Sequence, residues 1–166
     1  MTTVSSASES LMVLHFRISE LLDRYASHVD HGRLDEWAAL FAEESRYEVR
    51  TRENVEAGNP IALVLDDSKD RILDRITVIR KFWRGHHDEQ YVRHLWSALR
   101  IEDYDDCHVT ATSNVVVHGC RSSGRPFVLA MGEATDDIEL GPELRFRSRV
   151  VVLDHAAVDG AFIDPI

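Results

Sequence analysis

The stretch CHVTATSNVVVHG, residues 107–119, most constrains what this chain can fold into. Val109, Ala111, Ser113, Val115 and Val117 alternate with Thr110, Thr112, Asn114, Val116 and His118, a period of two held for longer than chance allows in a helix. A strand with two unlike faces belongs in an antiparallel sheet with one side packed. Three further β-rich runs flank it: YVRHLWSALRIE before, RPFVLAMGEATDDIE and ELRFRSRVVVLDHA after. RSSGR and LGPE carry the turn residues of the connections. The second half of the chain therefore predicts a four-strand antiparallel meander.

The first half has a different period. Leu11, Leu14, Ile18, Leu21, Leu22 and Tyr25 recur at helical spacing between Ser10 and Ser27, and Gly32 ends the pattern. A short second helix runs from Leu34 to Ala42, with Leu34, Trp37, Ala38 and Phe41 on one face. SRYEVRT reads as a strand, residues 52–60 as a loop rich in Asn, Gly and Pro, and IALVLDD as another strand. Asp67 or Ser68 can cap a third helix, on which Ile72, Ile76, Ile79 and Trp83 keep the 3.6 period, and RGHHDEQ is a polar break. Helices followed by a meander make an α+β chain. A long curved sheet with helices on its concave side forms a cone. Residues 1–166 are expected to be one domain, with 1–9 a frayed lead-in.

Charge and apolar runs remove whole classes of function. A formal charge of -10, with Lys and Arg scattered among acids, argues against nucleic acid. No apolar run approaches the roughly 20 residues of a membrane span, and the polar first ten residues lack a secretory pattern, so the expected location is the cytoplasm. There Cys107 and Cys120 are expected as thiols.

The nine histidines invite a chemical reading. His28, Asp30 and His31 cluster in SHVDHGRLDEWAALF, with Asp35 and Glu36 just beyond. His28 and His31 have an i, i+3 offset, but Gly32 and the expected helix end spoil it as a ligand pair. The stronger reading is a corner: His28 near a helix C-terminus, where a cation suits the dipole, and Asp30 with Gly32 in the turn. His86 and His87 fall in the polar break as exposed residues. His94 and His118 lie within strands, where a buried histidine with one partner is the expected state. Glycine-rich phosphate and dinucleotide loops and a nucleophile elbow are absent, as is the spacing of a Rieske centre. The residues alone offer no metal site and no cofactor site.

Four blocks in order resemble the small (β) subunit of aromatic-ring-hydroxylating dioxygenases. LLDRYASHVDHGRLDEWAALFAEESRYEV has Tyr25, Asp30, Gly32, Trp37, Leu40, Phe41 and Tyr47 where that family has them. SKDRILDRITVIRKFW, RHLWSALRI and FRSRVVVLDHAAVDGAFIDPI, the last with Arg149, Leu153 and Asp154, complete the match. Ala98 departs from it, standing where Asn is common, as does His31. The resemblance implies a cone-shaped, strongly curved antiparallel sheet on three helices, the fold of nuclear transport factor 2 and scytalone dehydratase. It implies a mainly structural subunit without catalytic residues, which trimerises and binds a large α subunit as α3β3. The Rieske 2Fe-2S cluster and mononuclear iron would belong to that α subunit, which dihydroxylates an arene with O2 and electrons from NADH. The alternative is a free-standing dehydratase or isomerase of the same fold. There Asp30 would orient His94 as general base and Tyr25 would polarise a carbonyl. In the subunit reading Trp37, Phe41 and Trp96 fill the cone instead.

Overall fold

The computed structural model describes residues 5–83, 90–121, 124–155 and 164–166. Helix α1 (Ser5–Asp30) starts well before the predicted Ser10, in the stretch expected to be frayed. Its buried stripe is Ile18, Leu21, Leu22, Tyr25 and Val29. It ends where Gly32 adopts a positive φ of 66°, which a residue without Cβ takes at no steric cost. Gly32 N–H donates to Val29 O at 2.9 Å and Arg33 N–H to His28 O at 2.8 Å, the paired bonds of a Schellman cap. The chain turns there into α2 (Leu34–Ala39), which buries Leu34, Trp37 and Ala38.

Strand β1 (Phe41–Thr51) begins at Phe41, inside the helix expected to reach Ala42. The predicted loop at 52–60 opens instead with one turn of helix, α3 (Arg52–Glu56), because the Thr51 side chain accepts from Asn54 N–H and caps it. The second strand shrinks to β2 (Val64–Asp66). Ser68 caps α4 (Lys69–Val78), which passes into a π turn over Ile79–Trp83. Four long strands follow: β3 (Gln90–Tyr104), β4 (His108–Arg121), β5 (Pro126–Glu139) and β6 (Arg145–Leu153).

These six strands form one sheet in the order β2-β1-β6-β5-β4-β3. The predicted meander is its β3–β6 part. The expected antiparallel sheet is present apart from one seam, where β1 runs parallel to β6, with Tyr47 opposite Arg149 and Val49 opposite Val151. That seam joins the two halves of the chain. On β4 the alternation holds: Val109, Ala111, Ser113, Val115 and Val117 are all buried, and the intervening residues are not. Ala111, Ser113, Ala130 and Ala134 keep the inner face shallow, which leaves room for α1 against the sheet.

Two ion pairs fix the smaller elements. Arg75 of α4 donates to both oxygens of Asp66 on β2, at 2.5 and 3.2 Å, and Arg80 makes a two-pronged contact with Asp35 of α2.

The backbone at Ala98 shows why Asn would suit this position, where the sequence departs from the pattern it resembles. It lies at the register shift between Ser97 and Arg100 and has a φ of 52°, in the left-handed region. An L-residue with Cβ is strained there by about 1–2 kcal/mol, and Asn is the side chain that best tolerates it. Ala98→Asn is expected to raise the unfolding free energy by about 0.5–1 kcal/mol in urea denaturation. A loss of stability would contradict this account of the bulge.

Candidate functional site

Asp30 and His94 come together where α1 meets β3, while Tyr25 is directed to another part of the core. The Schellman corner places Asp30 at the last turn of α1, and strand period places the His94 side chain inward, 5% exposed. Asp30 Oδ1 accepts from His94 N–H at 3.1 Å and lies 2.7 Å from His94 Nδ1. His94 Nε2 lies 3.0 Å from the main-chain oxygen of Pro165. Both ring nitrogens of His94 are thus occupied by partners from the same chain. Asp30 thus pins the end of α1 to β3 through main chain and side chain together.

Tyr25 points deeper. Its hydroxyl donates to the main-chain oxygen of Ile166 at 2.6 Å. Tyr47, on β1, contacts the same residue twice: its hydroxyl lies 3.3 Å from Ile166 O and accepts from Ile166 N–H at 2.8 Å. Pro165 and Ile166 are buried, so residues from the far end of the chain occupy the space between the candidate site residues. Around them lies an aromatic cluster. Trp37 and Phe41 sit edge to face with centroids 5.1 Å apart, Phe41 and Phe146 at 5.3 Å, and Tyr25 and Phe146 at 5.8 Å.

A buried ion pair backs this cluster. Arg149 Nη1 donates to Asp136 at 2.9 and 2.7 Å, both residues are at most 2% exposed, and the guanidinium lies 4.4 Å from the Tyr25 ring centroid. Burial raises the Asp136 carboxyl above its ordinary range, against the pull of Arg149. Burial also raises both phenols, Tyr25 well above the ordinary tyrosine range, with Tyr47 reinforcing it and Arg149 opposing it. Both therefore remain O–H donors.

Several residues stand elsewhere than expected. Trp96 packs against the core but is only half-buried, its indole N–H donating to Asp23 Oδ1 at 2.9 Å. His118 lies exposed on the outer face of β4. His28 does lie in the last turn of α1, where burial and then Arg33 hold its imidazole below the ordinary histidine range. His31 lies just past the helix end, its Nδ1 2.7 Å from Ser27 O. His86 and His87 fall outside the described residues. Cys107 and Cys120 sit near opposite ends of β4, roughly 40 Å apart along the strand at 3.3 Å per residue, and so cannot share a cluster or a disulfide. Among the described residues no three of His, Cys, Asp or Glu come together as a metal set, and no helix is long and apolar enough to cross a membrane.

Sequence reasoning gave no site role to Asp136, Tyr47, Arg149, Pro165 or Ile166. Asp136 had a usable signal, since it falls in register with the inward-facing Ala134 and Ile138. Nothing local marks Pro165 and Ile166.

Residues 24–160 match the family described as "Ring hydroxylating beta subunit". The chain is 31% identical over 152 residues to the anthranilate 1,2-dioxygenase small subunit of Burkholderia cepacia, covering 91% of this chain and 93% of that one. Among solved structures, the β subunit assigned to an aromatic-ring-hydroxylating dioxygenase of Novosphingobium aromaticivorans superimposes with a TM-score of 0.85 at 28% identity, covering 95% of this chain and 99% of that one. A protein assigned as a scytalone dehydratase from the same organism shares the fold alone, with a TM-score of 0.68 at 16% identity and coverage of 93% and 97%.

Two measurements test this geometry. In an alkaline absorbance titration, the buried phenols of Tyr25 and Tyr47 are expected to ionise only on unfolding. A phenol raised by folding stabilises the fold fully below the unfolded value near 10. Stability should therefore fall as pH rises above about 10. Asp136→Asn strands the Arg149 guanidinium in the core, and urea denaturation is expected to show a loss of about 3–5 kcal/mol.

Proposed function

The chain belongs to the ring-hydroxylating β subunit family, and on that premise we propose that it braces a large α subunit in an α3β3 assembly, with the β chains forming a trimer of their own. The reaction of the complex is the oxidation of an aromatic ring. The Rieske cluster and the mononuclear iron belong to the partner, and this chain contributes no catalytic residue. The residues present here do not fit the cluster: the two thiols are too far apart to share one. The complex works in the cytoplasm, and the chain acts in it as one folding unit.

One observation carries the choice over a free-standing dehydratase or isomerase. Tyr25 and His94, the residues such an enzyme would use, are already hydrogen-bonded to Ile166 and Pro165 of the same chain. A general base needs its free nitrogen within reach of a substrate proton. Here Asp30 holds one ring nitrogen and Pro165 the other. Asp30 and His94 accordingly serve as a clamp between α1 and β3.

Co-expression with an oxygenase large subunit as partner should give a stable heteromer. That heteromer, supplied with a reductase and NADH, should dihydroxylate an arene, anthranilate being the first to offer. This chain alone should turn over neither an arene nor a small cyclic hydroxy compound. Asp30→Asn in the assembled complex is expected to leave kcat/KM within about threefold while lowering stability by about 1–3 kcal/mol. Dehydration of a small substrate by the isolated chain, abolished by Asp30→Asn, would overturn the subunit reading.

A further inference from the structure

The outer face of the sheet, turned away from α1, carries two apolar patches on opposite flanks. On β3, β4 and β5, Leu95, Val116 and Met131 stand side by side in register, alternating with the buried Val115 and Val117. Leu95 and Met131 are exposed, and exposed Tyr91 and Val128 extend the patch. Arg93 lies in the next row, opposite His118, with most of its side chain in solvent. Aliphatic side chains exposed in rows, rather than singly, mark a contact surface.

The second patch lies on the edge strand β2, three strands from β5. Leu63 and Leu65 are exposed while Val64 between them is buried, and exposed Ile61 continues the alternation. The Asn54 side-chain N–H donates to Ile61 O at 3.4 Å, which brings α3 and its exposed Val55 to this flank. Here the charged side chains are acids, Glu53 and Glu56, both exposed on α3. Ion pairs divide the two patches: Arg50 with Glu48 on β1, and Arg52 with Asp154.

Charge decides how such patches are covered. Packing the first patch on its own copy would set Arg93 against Arg93, and packing the second on itself would set acids against acids. Packing the first on the second sets the guanidinium against Glu53 and Glu56. A sheet curved around α1 turns its two flanks in different directions, so one copy can hold a neighbour on each. Contacts between unlike patches repeat head to tail and end only when the ring closes.

We propose that the β3–β5 patch of one copy packs on the β2–α3 patch of the next, and that three copies close the ring. This rests on the trimer reading above and assigns the surfaces that make it.

Sedimentation velocity of the full chain tests the assignment. The unaltered chain should sediment at about three times the 18.9 kDa of one copy. Arg93→Glu sets acid against acid, and the pair Glu53→Arg and Glu56→Arg sets cation against cation. Each should raise the concentration at which the ring falls apart about tenfold or more. A chain carrying all three changes should return to within about threefold of the unaltered one. A trimer unmoved by either reversal overturns the assignment and leaves the trimer reading standing, as does a combined chain that stays dissociated. An unaltered chain that is monomeric at about 100 μM overturns both. Loss of binding to an oxygenase large subunit with the trimer intact also overturns the assignment, and gives the patches to that subunit. Arg93 lies 3.9 Å from Asp30, so circular dichroism checks the fold of Arg93→Glu. Should that fold be disturbed, Leu95→Glu, which puts an acid on the same patch, takes its place with the same expected outcomes.

Discussion

Tyr25 and Tyr47 place two hydroxyls where the fold is closed to solvent, and an unsatisfied buried hydroxyl costs about 1–3 kcal/mol. The rest of the structure follows from how they are satisfied. Tyr25 comes from α1 and Tyr47 from β1, and the residue they share, Ile166, comes from the other end of the chain. One small polar centre therefore ties the helical half, the sheet and the last residues together. The aromatic rings around it supply apolar burial, while the two hydroxyls fix the position of the tail.

The parallel seam between β1 and β6 makes that meeting possible. It sets Tyr47 opposite Arg149, so the phenol, the guanidinium and the Asp136 carboxylate all lie on the inner face near the same level. A buried guanidinium is tolerable only beside an anion, and Asp136 on the adjacent strand supplies it at 2.7 Å. Arg149 then lies over the Tyr25 ring and helps hold the first helix down on the sheet.

Asp30 and His94 illustrate how a structural clamp resembles catalytic machinery. Both need a carboxylate that orients an imidazole in a partly closed space. The difference lies in the second ring nitrogen, which in a base faces substrate and here faces Pro165. The same geometry that withholds His94 from chemistry gives the cone a set of directed donors, and the tail uses all of them.

By itself the sequence determined the α+β order, the two faces of β4, the helix end at Gly32 and the family. These rest on period, turn chemistry and motif order, which act over a few residues. It also placed Tyr25, Asp30 and His94 together as one candidate set, through the resemblance and through strand period at His94. Only the tertiary structure decided what the set does. The parallel β1–β6 seam, the Trp96–Asp23 hydrogen bond, the Asp136–Arg149 pair and the contacts of Pro165 and Ile166 join residues 13 to 141 positions apart. No local propensity encodes such contacts. They are selected because buried hydroxyls, a guanidinium and an imidazole must each find a partner once the sheet has curved around the helix.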